Sequence, residues 1–198
     1  MKKILIGLII LLCSAPFIFS QNIELGFEVP VQLKSKEAGE GNGVNFSAEY
    51  IFDGFISLKT TLGGISDKTT GKDLVPGTYS MFWAEESAEI KSTGGAVEPY
   101  LGAGIGYYKT DINLASSLPA DRFAGTISDN IKYSFGYNLR GGVDLPLSRY
   151  LKLNTEIKYI IFNPSMTVTD SKLNPPTKKV ENINLDAFIV QAGVVVNL

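Results

Sequence analysis

Ile131-Lys132-Tyr133-Ser134-Phe135-Gly136-Tyr137-Asn138-Leu139-Arg140-Gly141-Gly142-Val143-Asp144-Leu145 is the stretch that decides the fold. Ile131, Tyr133, Phe135, Tyr137, Leu139, Val143 and Leu145 are apolar. Lys132, Ser134, Gly136, Asn138, Arg140, Gly142 and Asp144 interleave with them. Successive side chains of a strand point to opposite faces. This segment is therefore a strand with one greasy face and one polar face.

The same period of two recurs outward from it in both directions. Toward the C-terminus, Leu151, Leu153, Ile157, Tyr159 and Ile161 alternate with Lys152, Asn154, Glu156 and Lys158. The chain then closes with Phe188, Val190, Ala192, Val194, Val196 and Leu198. Toward the N-terminus, Val97 to Tyr107, Ile56 to Gly63, Val44 to Asp53 and Ile23 to Leu33 repeat the pattern. An eighth strand is needed between Ile65 and Val97. It is expected near Met81 to Ser92, with Phe82, Ala84, Ala88 and Ile90 on the apolar face. Glu86 shares that face and makes it the weakest of the eight.

The connections fall into two kinds that alternate. Asp53-Gly54, Thr93 to Ala96 and Leu147 to Tyr150 are tight turns. Residues 34–43, 65–80, 110–130 and 163–182 are long and rich in Gly, Pro, Asn, Ser and Thr. Strands of about ten residues with short turns at one end and long loops at the other suit an all-β, eight-stranded antiparallel up-and-down transmembrane barrel. The turns are expected on the periplasmic side and the four long loops outside.

A soluble barrel of lipocalin type would show the same period with the apolar face inward. Three features favour the membrane form. The apolar faces carry almost no charge, the opposite faces carry many, and aromatic residues gather near strand ends. Tyr50, Phe52 and Phe55 mark one rim, and Tyr107, Tyr133, Phe135, Tyr159 and Phe188 the other. Such belts fit the two membrane interfaces.

The first twenty residues differ from the rest. Lys2 and Lys3 precede an apolar run from Ile4 to Leu12, and Ala15, Pro16 and Ser20 follow. This is the form of a secretory signal peptide over residues 1–20, leaving one domain over 21–198. Cys13, the sole cysteine, lies inside it. Leu12 before it is too bulky for a lipid-attachment site, so the mature chain has no thiol chemistry. Removing Lys2 and Lys3 leaves 16 basic and 20 acidic residues, with no electrostatic reason to bind nucleic acid. No later stretch approaches the roughly 20 apolar residues of a membrane helix.

Glu98-Pro99-Tyr100-Leu101-Gly102-Ala103-Gly104-Ile105-Gly106-Tyr107 resembles the fifth strand of small outer-membrane barrels of the OmpW, OmpX and OmpA membrane-domain type. Gly141-Gly142-Val143-Asp144-Leu145-Pro146-Leu147 is similar as well. The final octet resembles the C-terminal assembly signal of such proteins, carried here by Gln191, Gly193, Val196 and Leu198. Members usually end in Phe, so Leu198 departs mildly. The resemblance implies residence in the bacterial outer membrane. It implies outer-membrane lipid, lipopolysaccharide and the barrel-assembly machinery as partners. It says little about activity.

There is no histidine. Barrel hydrolases commonly use one as general base, so no enzyme activity, catalytic residue, cofactor or metal is expected. Gly102, Gly104 and Gly106 lie in a strand at G-x-G-x-G spacing and are expected to make room in the lumen, not to hold phosphate. Gly71-Lys72 lacks the glycine spacing of a phosphate loop, and Asp73 replaces its Ser or Thr. The lumen is expected to carry Glu24, Glu28, Glu49, Lys59, Glu98, Lys132, Arg140, Asp144, Lys152, Glu156, Lys158 and Asp186. Eight strands leave an interior only wide enough for side chains to fill, so these charges are expected to pair into a plug. Arg140 is expected to pair with Asp144, Glu156 or Glu98. Two functions follow. One is a non-enzymatic barrel contributing to envelope structure and showing its loops to an unidentified extracellular partner. The other, from the OmpW resemblance, is passage of small hydrophobic compounds.

Overall fold

The computed structural model describes residues 23–35, 41–52, 55–67, 77–114, 134–170, 177–182 and 185–198. The expected signal peptide, Cys13, Gly71-Lys72, Lys132 and Tyr133 lie outside the described residues. The strands are β1 (Ile23–Ser35), β2 (Gly41–Phe52), β3 (Ile56–Asp67), β4 (Gly77–Lys91), β5 (Glu98–Leu114), β6 (Ser134–Pro146), β7 (Leu151–Ile161), β8 (Ser165–Asp170), β9 (Thr177–Asn182) and β10 (Ala187–Asn197).

Eight of them close into one antiparallel barrel in the order β1-β10-β7-β6-β5-β4-β3-β2. Each strand pairs with its chain neighbour, and β10 pairs with both β7 and β1 to shut the ring. Hydrocarbon supplies no hydrogen-bonding partner, so closure satisfies every ladder that an open sheet would leave bare. Tight turns join β2 to β3, β4 to β5 and β6 to β7. Phe55 N–H meets Phe52 O at 3.2 Å in the first, and Leu147 N–H meets Leu151 O at 2.9 Å in the third. In the second, Gly94 has φ +82°, where a side chain would be strained, and its N–H donates to Glu98 at 2.7 Å.

The faces sort as a membrane barrel requires. Leu101, Phe135 and Ile90 point outward and are 71%, 75% and 68% exposed, whereas Arg140, Glu156 and Lys158 are buried within. A soluble barrel would reverse this. Tyr50 and Phe52 meet at 4.5 Å between centroids on the turn side, and Tyr107 and Phe135 at 5.2 Å on the loop side.

Three features go beyond the expectation. β4 begins at Gly77, and β3 and β5 run on to Asp67 and Leu114, because strand pairing continues beyond the apolar band into the loops. The long connection expected over 163–182 contains a hairpin, β8 against β9, apart from the barrel. The ladder between β1 and β2 is also interrupted. It runs from Ile23–Tyr50 to Glu28–Asn45 and resumes at Val31–Asn42. Pro30, which has no N–H to donate, sits in the gap.

Candidate functional site

The barrel interior is the candidate site, and it has three layers. On the turn side, Lys91 of β4 lies 2.8 Å from Glu24, 3.1 Å from Glu49 and 2.8 Å from Asp144. Lys152 of β7 lies 2.5 Å from Glu24 and 2.7 Å from Glu98. Six of the eight barrel strands thus send a side chain into this layer. Asn154 donates to Asp144 at 2.7 Å and to the Tyr100 hydroxyl at 2.9 Å, and Tyr100 donates to Glu156 at 2.9 Å.

The middle layer centres on Glu156 and Glu85. Glu156 takes Lys59 at 3.2 Å and Gln191 at 3.0 Å, with Arg140 at 3.8 Å. Lys59 also lies 3.5 Å from Glu28, which accepts from Asn45 and Ser47. Glu85 takes Arg140 at 2.7 Å, Lys158 at 2.9 Å and the Tyr108 hydroxyl at 2.8 Å. Buried charges are tolerated only when paired and hydrogen-bonded in this way.

The third layer, toward the loops, is apolar. Ile65, Met81, Trp83, Tyr108, Ile160, Phe162, Leu185, Ala187 and Ile189 pack together inside the barrel. Lys158 lies 4.4 Å from the Trp83 ring, and the Trp83 indole N–H donates to Asn45 at 3.2 Å. Charged and apolar layers therefore meet at Trp83.

Glycines shape these layers. A Cβ on Gly106 or Gly136 would come within 3 Å of the Tyr108 ring, and one on Gly142 within 2.7 Å of the Tyr100 ring. Each ring lies over backbone that lacks a side chain there. Gly102 does the same for the aliphatic stem of Arg140, 3.3 Å from where its Cβ would stand.

The structure brings Glu24, Glu28, Glu49, Lys59, Glu98, Arg140, Asp144, Lys152, Glu156 and Lys158 into this interior, all buried. Asp186 is not among them and corrects the expectation. Ala187 and Ile189 point inward, so Asp186 has the opposite sense. It sits at the loop-side rim, where its carboxylate accepts from Phe162 N–H at 3.0 Å and the Tyr159 hydroxyl at 3.3 Å. The partners of Arg140 also need correction. Of the three expected, only Glu156 is within ion-pair range. Its closest partner is Glu85, and Glu89 stands 3.7 Å away. Asp144 is engaged by Lys91, and Glu98 by Lys152. The cause is Gly102, which pairs in register with both Arg140 and Glu89. With no side chain between them, Arg140 reaches across β5 to β4. Glu85, Glu89 and Lys91 were missed by sequence reasoning. They share the inward parity opposite Ala84, Ala88 and Ile90, so alternation would have found them.

At the C-terminus, Gln191 faces the lumen, while Val196 and Leu198 face outward. Gly193 lies opposite Glu28, where a Cβ would meet the Glu28 backbone at 2.5 Å.

A closed ring with a charged interior and an apolar exterior is a transmembrane barrel of the bacterial outer-membrane class. The model of the OmpW family matches residues 45–197, and the chain belongs to that family. No curated protein matches the chain. Among solved structures it is similar to OprG from Pseudomonas aeruginosa, with 15% identity, TM-score 0.71, and coverage of 90% of this chain and 96% of OprG. It is similar to AlkL solved in DMPC lipid bilayers, with 18% identity, TM-score 0.62 and 90% of each chain covered. Neisserial surface protein A follows at 17% identity and TM-score 0.59, covering 89% of this chain and 97% of its own. At such identities the likeness is one of fold. The protein is an OmpW-family barrel of the outer membrane.

Proposed function

We propose that this barrel is a non-enzymatic outer-membrane protein that admits small apolar compounds at its loop end and releases them sideways. The observation that carries this reading is the apolar layer inside the barrel, from Ile65 and Met81 to Leu185 and Ile189. A lumen built only as a structural plug would need no such layer, since paired charges already fill the rest. The layer sits above two storeys of ion pairs, which oppose axial passage of an apolar solute, because parting them would expose buried charge. The interrupted β1–β2 ladder at Pro30 offers a place where fewer hydrogen bonds hold adjacent strands. Membership of the OmpW family is consistent with this route. The lipid-facing wall, lipopolysaccharide around it and the assembly machinery reading Gln191, Gly193, Val196 and Leu198 complete the proposed partners.

The paired floor also favours a second reading, in which the barrel supports the envelope and presents its loops. One experiment separates them. Trp83 is the only tryptophan and lies in the apolar layer. In lipid vesicles, bromooctane, a heavy-atom quencher, should quench its emission with saturation, and Met81→Asn should abolish the saturable part. Quenching that never saturates and is the same in Met81→Asn would reflect partition into lipid alone. The structural reading would then stand.

A further inference from the structure

We infer that the compounds admitted to the apolar layer carry a neutral oxygen-bearing head, a hydroxyl or carbonyl on an apolar tail, and that Thr110 of β5 recognises that head. The inference rests on the reading of this layer as the place where small apolar compounds enter. Thr110 lies two residues beyond Tyr108 on the same strand, has the same inward sense and is 1% exposed. Its register partner on β4 is Met81, whose own partner on β3 is Ile65. All three side chains are buried, so the hydroxyl stands in one row with two members of the apolar layer.

Among the described residues no hydrogen-bond partner reaches Thr110 Oγ1. A hydroxyl has one proton to donate and two lone pairs to accept with. Burying it bare forfeits the hydrogen bonds that water gave it in the unfolded chain. Valine would fill the same space without that loss. Two polar groups bordering the layer are committed elsewhere. Tyr108 donates its hydroxyl to Glu85 at 2.8 Å, and Trp83 donates its indole N–H to Asn45 at 3.2 Å. A buried water typically takes about two to four polar partners, and this row offers Thr110 alone.

A ligand head needs only that one hydrogen bond, provided its tail is apolar and rests among Ile65, Met81 and their neighbours. The head must also be neutral. A charged head would give up its hydration for a single hydroxyl. Lys158, the cation beside Trp83, is already held by Glu85 at 2.9 Å and does not serve an acid. A hydroxyl or carbonyl oxygen accepting from Thr110 meets both conditions.

The test reads Trp83 emission from the full barrel in lipid vesicles, with three heavy-atom probes of one chain length. These are bromooctane, bromooctanol and bromooctanoate, each counted as its concentration within the lipid so that partition cancels. In the parent, quenching by bromooctanol should saturate at a several-fold lower concentration than quenching by either other probe. Thr110→Val should bring bromooctanol to the level of bromooctane and leave bromooctane unchanged, and Thr110→Ser should keep the preference. Equal midpoints for bromooctane and bromooctanol in the parent, or a preference that survives Thr110→Val, would overturn the inference while leaving the entry of apolar compounds intact. Bromooctanoate saturating as readily as bromooctanol would overturn the neutral head. Absence of saturable quenching by every probe would overturn the entry reading itself, and this inference with it. The heat-induced gel shift establishes that each variant is folded; if Thr110→Val is not, the parent's preference and its retention in Thr110→Ser decide.

Discussion

Arg140 shows how closely the lumen charges depend on one another. Eight buried carboxyl groups face five buried cations among the described residues, so nearly every cation is shared. If Arg140 is removed, Glu85 keeps Lys158 and Glu156 keeps Lys59, but Glu89 loses its ion pair. Arg140→Ala should therefore destabilise the barrel by about 3–5 kcal/mol, the usual effect of stranding a buried charge. Adding Glu89→Gln should restore more of the loss than adding Asp144→Asn, since Asp144 sits with Lys91. Urea unfolding of the four proteins in vesicles measures this, and equal rescue by the two amides would contradict the assignment. At this scale parity decides which side chains point inward: it holds for ten of the expected charges, would have added Glu85, Glu89 and Lys91, and would have set Asp186 outward with Phe188. It did not reveal which of them meet. Arg140 reaches Glu85 over the bare backbone at Gly102, a contact set by barrel curvature and not by spacing along the chain.

Elements were legible to the extent that one face was apolar and the other polar. β7 alternates without interruption and β6 does so except at Gly141 to Val143, and their turn follows directly. β4 was the least legible because Glu86 breaks its outer face. The hairpin of β8 and β9 is hidden in the sequence because each strand is only six residues long and too short for a clear period of two. The outer faces give a direct prediction. Leu139 of β6 is outward and 54% exposed, and Ser92 lies in the β4–β5 turn. Leu139→Arg should cost about 2–4 kcal/mol near the middle of the membrane. Ser92→Arg should change stability by no more than about 0.5 kcal/mol. Unfolding midpoints in vesicles compare the two, and similar losses would mean the strand faces are misassigned.

The whole molecule is a tube closed twice, by ion pairs on the turn side and by apolar packing on the loop side. The first closure could be foreseen from ten inward charges. The second could not. At the loop-side ends both parities turn apolar, as in Ile160-Ile161 and Ile189-Val190, and the period of two that distinguishes inside from outside vanishes. Ile65 likewise lay beyond the last clear alternation of its strand. Both closures rest on side chains that meet inside the lumen: Lys91 bridges Glu24, Glu49 and Asp144, and Tyr108 packs on Phe162 at 5.1 Å between centroids. A tube closed in this way is expected to offer ions no continuous aqueous path. Conductance of the purified barrel in planar lipid bilayers tests that claim most directly. The expected result is no steady ion current at moderate voltage; a stable, ohmic conductance from single insertions would show that an open water path runs through the lumen.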